Sequence, residues 1–137
     1  MSAFKDASIA EALFDRVGTL ALSPSLDVSM PNMPFTPPES GRWLRVNEIP
    51  APTAAFEVSG GTREFTGLLQ VDVFHPLGDG RIGAKETAGA IVNHFLPPLV
   101  LEKDGVRVRI TQAYPGPVLQ DGRSMMLPVT IRYRAFA

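Results

Sequence analysis

The 137-residue chain contains no cysteine, one tryptophan and two histidines. It also has no apolar run approaching the ~18–20 residues that a membrane-spanning helix needs. Without cysteine, disulfide frameworks, thiolate metal sites and cysteine nucleophiles are excluded. Net charge is as scarce: 13 Lys and Arg against 14 Asp and Glu leave −1, so no bulk field draws nucleic acid or an anionic membrane to the chain. The opening segment MSAFKDASIAEALF carries acidic residues and no basic flank ahead of an apolar stretch, so no secretory leader is expected. What is present, 45% hydrophobic and 20% charged residues, suits one globular domain spanning residues 1–137, with no room for a second core of ordinary size.

Hydrophobic periodicity divides the chain. Residues 3–18 predict an amphipathic helix, with Ser2 as N-cap, Ile9, Leu13 and Val17 at helical spacing, Ala10 and Phe14 beside them, and Gly18 as the stop. Five prolines (Pro24, Pro31, Pro34, Pro37, Pro38) make residues 23–41 largely irregular, because proline supplies no N–H to a ladder or helix interior. Met30, Met33 and Phe35 give this loop an apolar side that packs on its own core or on a partner; the pattern leaves both open.

From Trp43 the period becomes two. Strands are expected over 43–49, 53–58 and 63–75, the last two joined through Ser59-Gly60-Gly61-Thr62 as a hairpin. A second helix is expected over 83–95, with Ala84, Ala88, Ile91, Val92 and Phe95 on one side and Pro97-Pro98 as its stop. Two further strands follow, around Val106–Val108–Ile110 and Leu127–Val129–Ile131–Tyr133, with a turn at Asp121-Gly122 in a linker too long for a tight hairpin. The order α-β-β-β-α-β-β predicts an α+β fold in which two helices pack on a mainly antiparallel sheet of about five strands.

No catalytic constellation stands out. On a strand, the odd spacing of Asp72 and His75 puts them on opposite faces, and His94 has Ala90 rather than an acid or a histidine at i−4. Neither histidine gathers the three or four ligands a zinc site needs. Gly60-Gly61 and Gly78-Asp79-Gly80 lack the spacing and the Lys-Ser/Thr pair of a phosphate loop, and no G-x-S-x-G elbow is present. No enzyme activity, metal or cofactor is expected. One charge pattern remains. From residue 103 onward six basic residues face two acidic ones, and Arg107, Arg109, Arg132 and Arg134 alternate with apolar strand residues. That predicts a basic sheet face: solvated, paired with acids of helix one, or set against DNA phosphates or an acidic neighbouring subunit.

Three stretches together resemble a known family. They are Asn32-Met33-Pro34-Phe35-Thr36-Pro37-Pro38 followed by Trp43-Leu44-Arg45-Val46; Gly67-Leu68-Leu69-Gln70-Val71-Asp72-Val73 leading to the helix that ends Asn93-His94-Phe95; and Pro128-Val129-Thr130-Ile131-Arg132-Tyr133-Arg134-Ala135. In this order they resemble the tail terminator (tail completion) proteins of long-tailed, non-contractile bacteriophages and prophages, over nearly the whole chain.

The resemblance implies a structural virion protein, assembled in the host cytoplasm. Its expected form is a homo-oligomeric, hexameric ring on the head-proximal end of the tail tube that stops polymerisation. The implied partners are the tail tube protein and the head-tail connector protein, with non-specific contact to passing DNA and none to membrane. It offers no catalytic residue. Subunit contacts are expected at Met30, Met33 and Phe35 in the loop and at Gly60 and Gly61, with Arg107, Arg109, Arg132 and Arg134 toward the lumen or a neighbour. The alternatives are another neck component, the tube subunit itself, or a small-molecule-binding α+β domain.

Overall fold

The structure, a computed structural model, describes residues 5–22, 25–51 and 64–136. Helix α1 (Asp6–Gly18) buries Ile9, Ala12, Leu13 and Val17. Strand β1 (Asp27–Ser29) lies parallel to β2 (Trp43–Pro50), which pairs antiparallel with β3 (Glu64–Pro76). Helix α2 (Ile82–His94) follows and buries Ala84, Ala88 and Ile91. Then come β4 (Val100–Lys103), β5 (Val106–Pro115), β6 (Leu119–Asp121) and β7 (Ser124–Phe136). The sheet runs β1-β2-β3-β7-β5-β4, with β6 paired to β7. Every described helix is too short to cross a membrane.

The α+β class and both helices match expectation; the strand count and order do not. Among the described residues seven strands stand where about five were expected, and the sheet is mixed because of the parallel β1–β2 pair. Proline bounds β1 rather than excluding it, since Asp27–Ser29 fits between Pro24 and Pro31. Strand β4 forms because Asp104 (φ 51°) and Gly105 (φ 80°) make a two-residue turn with both φ positive, the geometry that matches strand twist in a hairpin. Strand β6 occupies the linker before β7, and Asp121 pairs with Ser124, so the turn there is tight after all. The expected strand over 53–58, its glycine turn and the Ser2 cap lie outside the described residues.

Both helices cover one face of the sheet. Leu44 and Val46 of β2, Leu69, Val71 and Val73 of β3, Val106, Val108 and Ile110 of β5, and Leu127, Val129 and Ile131 of β7 point toward them and are buried. The alternation is interrupted once. A bulge between Ile110 and Gln112 shifts the register, so Gln112 and Tyr114 oppose Arg132 and Thr130 on the other face while Ala113 packs on the core.

The C-terminal ends of the helices are tied together. Arg16 donates two hydrogen bonds to the His94 carbonyl, at 2.8 and 3.1 Å, and His94 Nε2 lies 2.9 Å from the Arg16 carbonyl. A carbonyl only accepts, so Nε2 carries the proton and His94 serves as a helix-end clamp.

Glu48 shares the helix side of β2 with Leu44 and Val46, and its Oε2 is buried with no hydrogen-bond partner among the described residues. Burial first, and the Asp6 carboxylate second, push its carboxyl above the ordinary 4.5. A raised carboxyl pKa means that the folded state binds the proton more tightly than the unfolded chain does. Stability therefore falls as pH rises from 4.5 through the folded value and stays reduced above it. Glu48→Gln is expected to raise the melting temperature at neutral pH, with the gain vanishing near pH ~4. Thermal melts of both proteins at the two pH values check this; an equal gain at both would contradict it.

Candidate assembly surface

Among the described residues no helix covers the second face of the sheet. At one end the Pro-rich loop closes over it. Phe35 lies on Trp43 with ring centroids 5.1 Å apart, and Trp43 stacks on Phe74 at 4.1 Å and 5°. The Arg45 guanidinium sits 4.9 Å above Phe74 and donates to Asp72 Oδ2 from Nε (3.1 Å) and Nη2 (3.0 Å). Gln70 Nε2 donates to Asp72 Oδ1 at 2.8 Å. Asp72 is fully buried. Sequence reasoning singled out Phe35 and weighed Asp72 only against His75, missing its pairing with Arg45; the signal was an acid and an arginine at facing positions of two neighbouring strands.

The expected contact residues of the loop therefore separate. Met30 packs against the core and Phe35 against Trp43, both within the chain, while Met33 is 64% exposed. Gly60 and Gly61 lie outside the described residues. Because Trp43 is the sole tryptophan, its emission reports whether the loop is seated. Phe35→Ala is expected to shift that emission to the red and to lower stability by about 1 kcal/mol. Unchanged emission would show that Phe35 does not hold the loop there.

At the other end of this open face the four expected arginines do come together. Arg109 and Arg134 are directly opposed across β5 and β7, Arg107 opposes Phe136, and Arg132 opposes Gln112. All four are exposed. Arg134 pairs with Glu64, Arg107 lies 3.6 Å from Glu102, and Arg132 Nε donates to the Tyr114 hydroxyl at 3.3 Å. An open depression of about 400 Å³ runs between Val100, Gly105, Arg107, Arg109, Arg134 and Phe136. The reading in which these arginines pair with helix one of the same chain fails. Helix α1 packs over β4 and β5 from the opposite face, and its Asp15 pairs with Lys103.

The histidines offer no metal centre. His75 faces the helices beside Gly83, with Nδ1 3.1 Å from Asp79, and Asp79 also takes the Arg42 guanidinium at 2.7 Å. The hydrogen bond from Arg42 is the main reason that Asp79 titrates below the ordinary carboxylate value. Among the described residues no group of three or more His, Asp or Glu converges on a metal position.

Among the described residues, then, the sheet has one helix-covered face and one open, loop-capped face that carries four exposed arginines. The chain belongs to the phage tail terminator family, whose model, described as phage tail terminator protein, matches residues 8–133. It is thus a structural protein of the phage tail and of the virion. Among solved structures, one chain that bears no functional description is 30% identical, with a TM-score of 0.79 over 98% of this chain and 96% of its own. A chain from the virion of a native gene transfer agent particle shares the fold, with 14% identity and a TM-score of 0.65 over 99% of this chain and 100% of its own. No curated protein matches the sequence.

Proposed function

We propose that this chain, acting as a single domain over residues 1–137, closes into a hexameric ring on the head-proximal end of the tail tube. The ring ends tube polymerisation and presents the surface that the head-tail connector meets. The family match over residues 8–133 carries the reading. The virion origin of the gene transfer agent neighbour is in keeping with it. A closed ring needs heterologous contacts, in which two different surfaces of one subunit meet on successive copies. The exposed Met33 at the tip of an otherwise seated loop is one contact, and the segment around Gly60 and Gly61 is another. Met30 and Phe35 set the position of the loop rather than touching the neighbour themselves.

The role requires no catalysis and no cofactor. The subunit assembles in the host cytoplasm and resides at the tube end that joins the head. Native mass spectrometry across protein concentrations tests the oligomer: one discrete closed species, the hexamer, is expected. An open ladder of sizes would instead mark a tube-type subunit.

A further inference from the structure

We infer that the arginine-bearing open face of one subunit seats the outer side of α1 from the next copy, so that ring closure is a head-to-tail charge pairing. This rests on the ring reading above and names the two surfaces that meet.

The arginines are under-compensated where they stand. Arg109 and Arg134 oppose each other directly across β5 and β7, a placement of like charges that is unfavourable unless an anion lies between them. Of these four arginines, only Arg134 and Arg107 have carboxylate partners among the described residues, Glu64 and the loosely held Glu102. Arg109 and Arg132 have none among the described residues. Beside them Val100 and Phe136 expose apolar surface along the depression. Guanidinium groups rimming an apolar hollow suit carboxylate side chains on a packed element, because each takes a carboxylate in bidentate fashion.

The complementary surface is on the same subunit, behind the same strands. Glu11 and Asp15 are exposed on α1, and Asp104 on the β4–β5 turn accepts a hydrogen bond from Ser8 at 3.2 Å. Lys103 sits among these three carboxylates, which hold its ammonium above the ordinary lysine value, Asp15 first. One ammonium leaves the ridge acidic. Since α1 covers β4 and β5 from one side and the arginines project from the other, the sheet keeps the two surfaces of one chain apart. Each copy thus offers a basic surface on one side and an acidic one on the other at a single edge. Surfaces arranged in this way pair between copies, and the contact is heterologous, as ring closure requires. Glu64 and Glu102, interleaved with the arginines, weaken the attraction for a continuous polyanion while leaving room for discrete carboxylates. That favours a protein neighbour over duplex DNA.

The test uses two charge-reversed versions of the whole protein, one carrying Arg109→Glu with Arg132→Glu and the other Glu11→Arg with Asp15→Arg. All four sites are exposed, so circular dichroism should be unchanged. Should the arginine version fail to fold, Arg109→Gln with Arg132→Gln replaces it; should the helix version fail, Glu11→Gln with Asp15→Asn does, each expected to weaken association by itself. In native mass spectrometry and sedimentation each version alone should associate at least about tenfold more weakly than wild type. Wild-type association should itself weaken as salt rises. Mixing the two versions should restore the closed oligomer, because the acidified face of one meets the basic helix of the other. Normal rings from either version alone, or no recovery on mixing, would overturn the pairing while leaving the ring itself standing. Intact rings that lose affinity for a short duplex, read by fluorescence anisotropy, would make the face a DNA contact instead. A wild-type protein that forms no closed oligomer would remove the ring reading, and this pairing with it.

Discussion

Replacing Asp72 by alanine should lower stability by about 3 kcal/mol, one of the two largest effects expected of a single substitution in this chain. The carboxylate has no exposed surface, yet it lies on the face of the sheet opposite the two described helices. Its neighbours there are Arg45, whose guanidinium lies over Phe74, and Gln70. One oxygen accepts both hydrogen bonds from Arg45 and the other accepts one from Gln70. Truncation leaves a guanidinium and an amide facing an apolar gap.

Arg45 is 38% exposed and recovers part of its hydration, so the loss falls at the low end of the range for breaking a buried ion pair. Asp72→Asn keeps the volume but places an amide among donors, and should cost somewhat less. Thermal melts should show a drop of roughly 10 °C for the alanine variant. They should also show red-shifted Trp43 emission before unfolding, as the stack loosens. A loss below ~1 kcal/mol would mean that the ion pair contributes little beyond its own desolvation.

Gly67→Ala should cost about as much, for a steric reason. An added Cβ would stand 2.7 Å from the Tyr133 hydroxyl, 2.8 Å from the Ile49 carbonyl oxygen and 2.8 Å from Pro50 Cα. Two of these atoms are β2 backbone, held by the Pro50–Gly67 pairing and by the 2.9 Å hydrogen bond from the Ala51 N–H to the Thr66 carbonyl. Relief therefore requires β2 to move away from β3, and a clash of this kind in a packed sheet costs about 3 kcal/mol. A double variant separates the causes. Adding Tyr133→Phe removes the hydroxyl but not the backbone contacts, so stability should stay low in urea denaturation. Recovery in the double variant would show that the hydroxyl alone was in the way.

How much of this was legible in the sequence depends on the range of the interaction. Helix α1 and helix α2 were readable because Ile9, Leu13 and Val17, and Ala84, Ala88 and Ile91, repeat at the helical period, which is a local property. The long strands β3 and β7 alternate over most of their length and were readable for the same reason. Strands β1, β4 and β6 have three or four residues each, too few to show a period, and they exist only because an edge is there to pair with. Asp104-Gly105 was the one local sign of β4, a turn pair between apolar residues, and it went unread.

The basic face was legible because Arg107, Arg109, Arg132 and Arg134 alternate with core residues. Which carboxylates stand beside them was not: Glu64 comes from a distant position in the chain, and Glu102 faces Arg107 only because the unread turn at Asp104-Gly105 folds β4 onto β5. The loop was half legible. Its apolar residues were visible in sequence, but that Phe35 and Met30 turn inward and Met33 outward is decided by Trp43 and the core, which only the fold brings near.

The proposed role, ending a tail tube, can be observed on the tube itself. The most direct test adds the purified protein to its cognate tube protein during polymerisation and measures tube lengths by negative-stain electron microscopy. Tubes should become shorter as the protein is increased, each closed at one end by a ring-shaped density, while tubes without this protein should keep growing. Unchanged tube lengths with bare ends, or incorporation of the protein along the tube wall, would contradict this role.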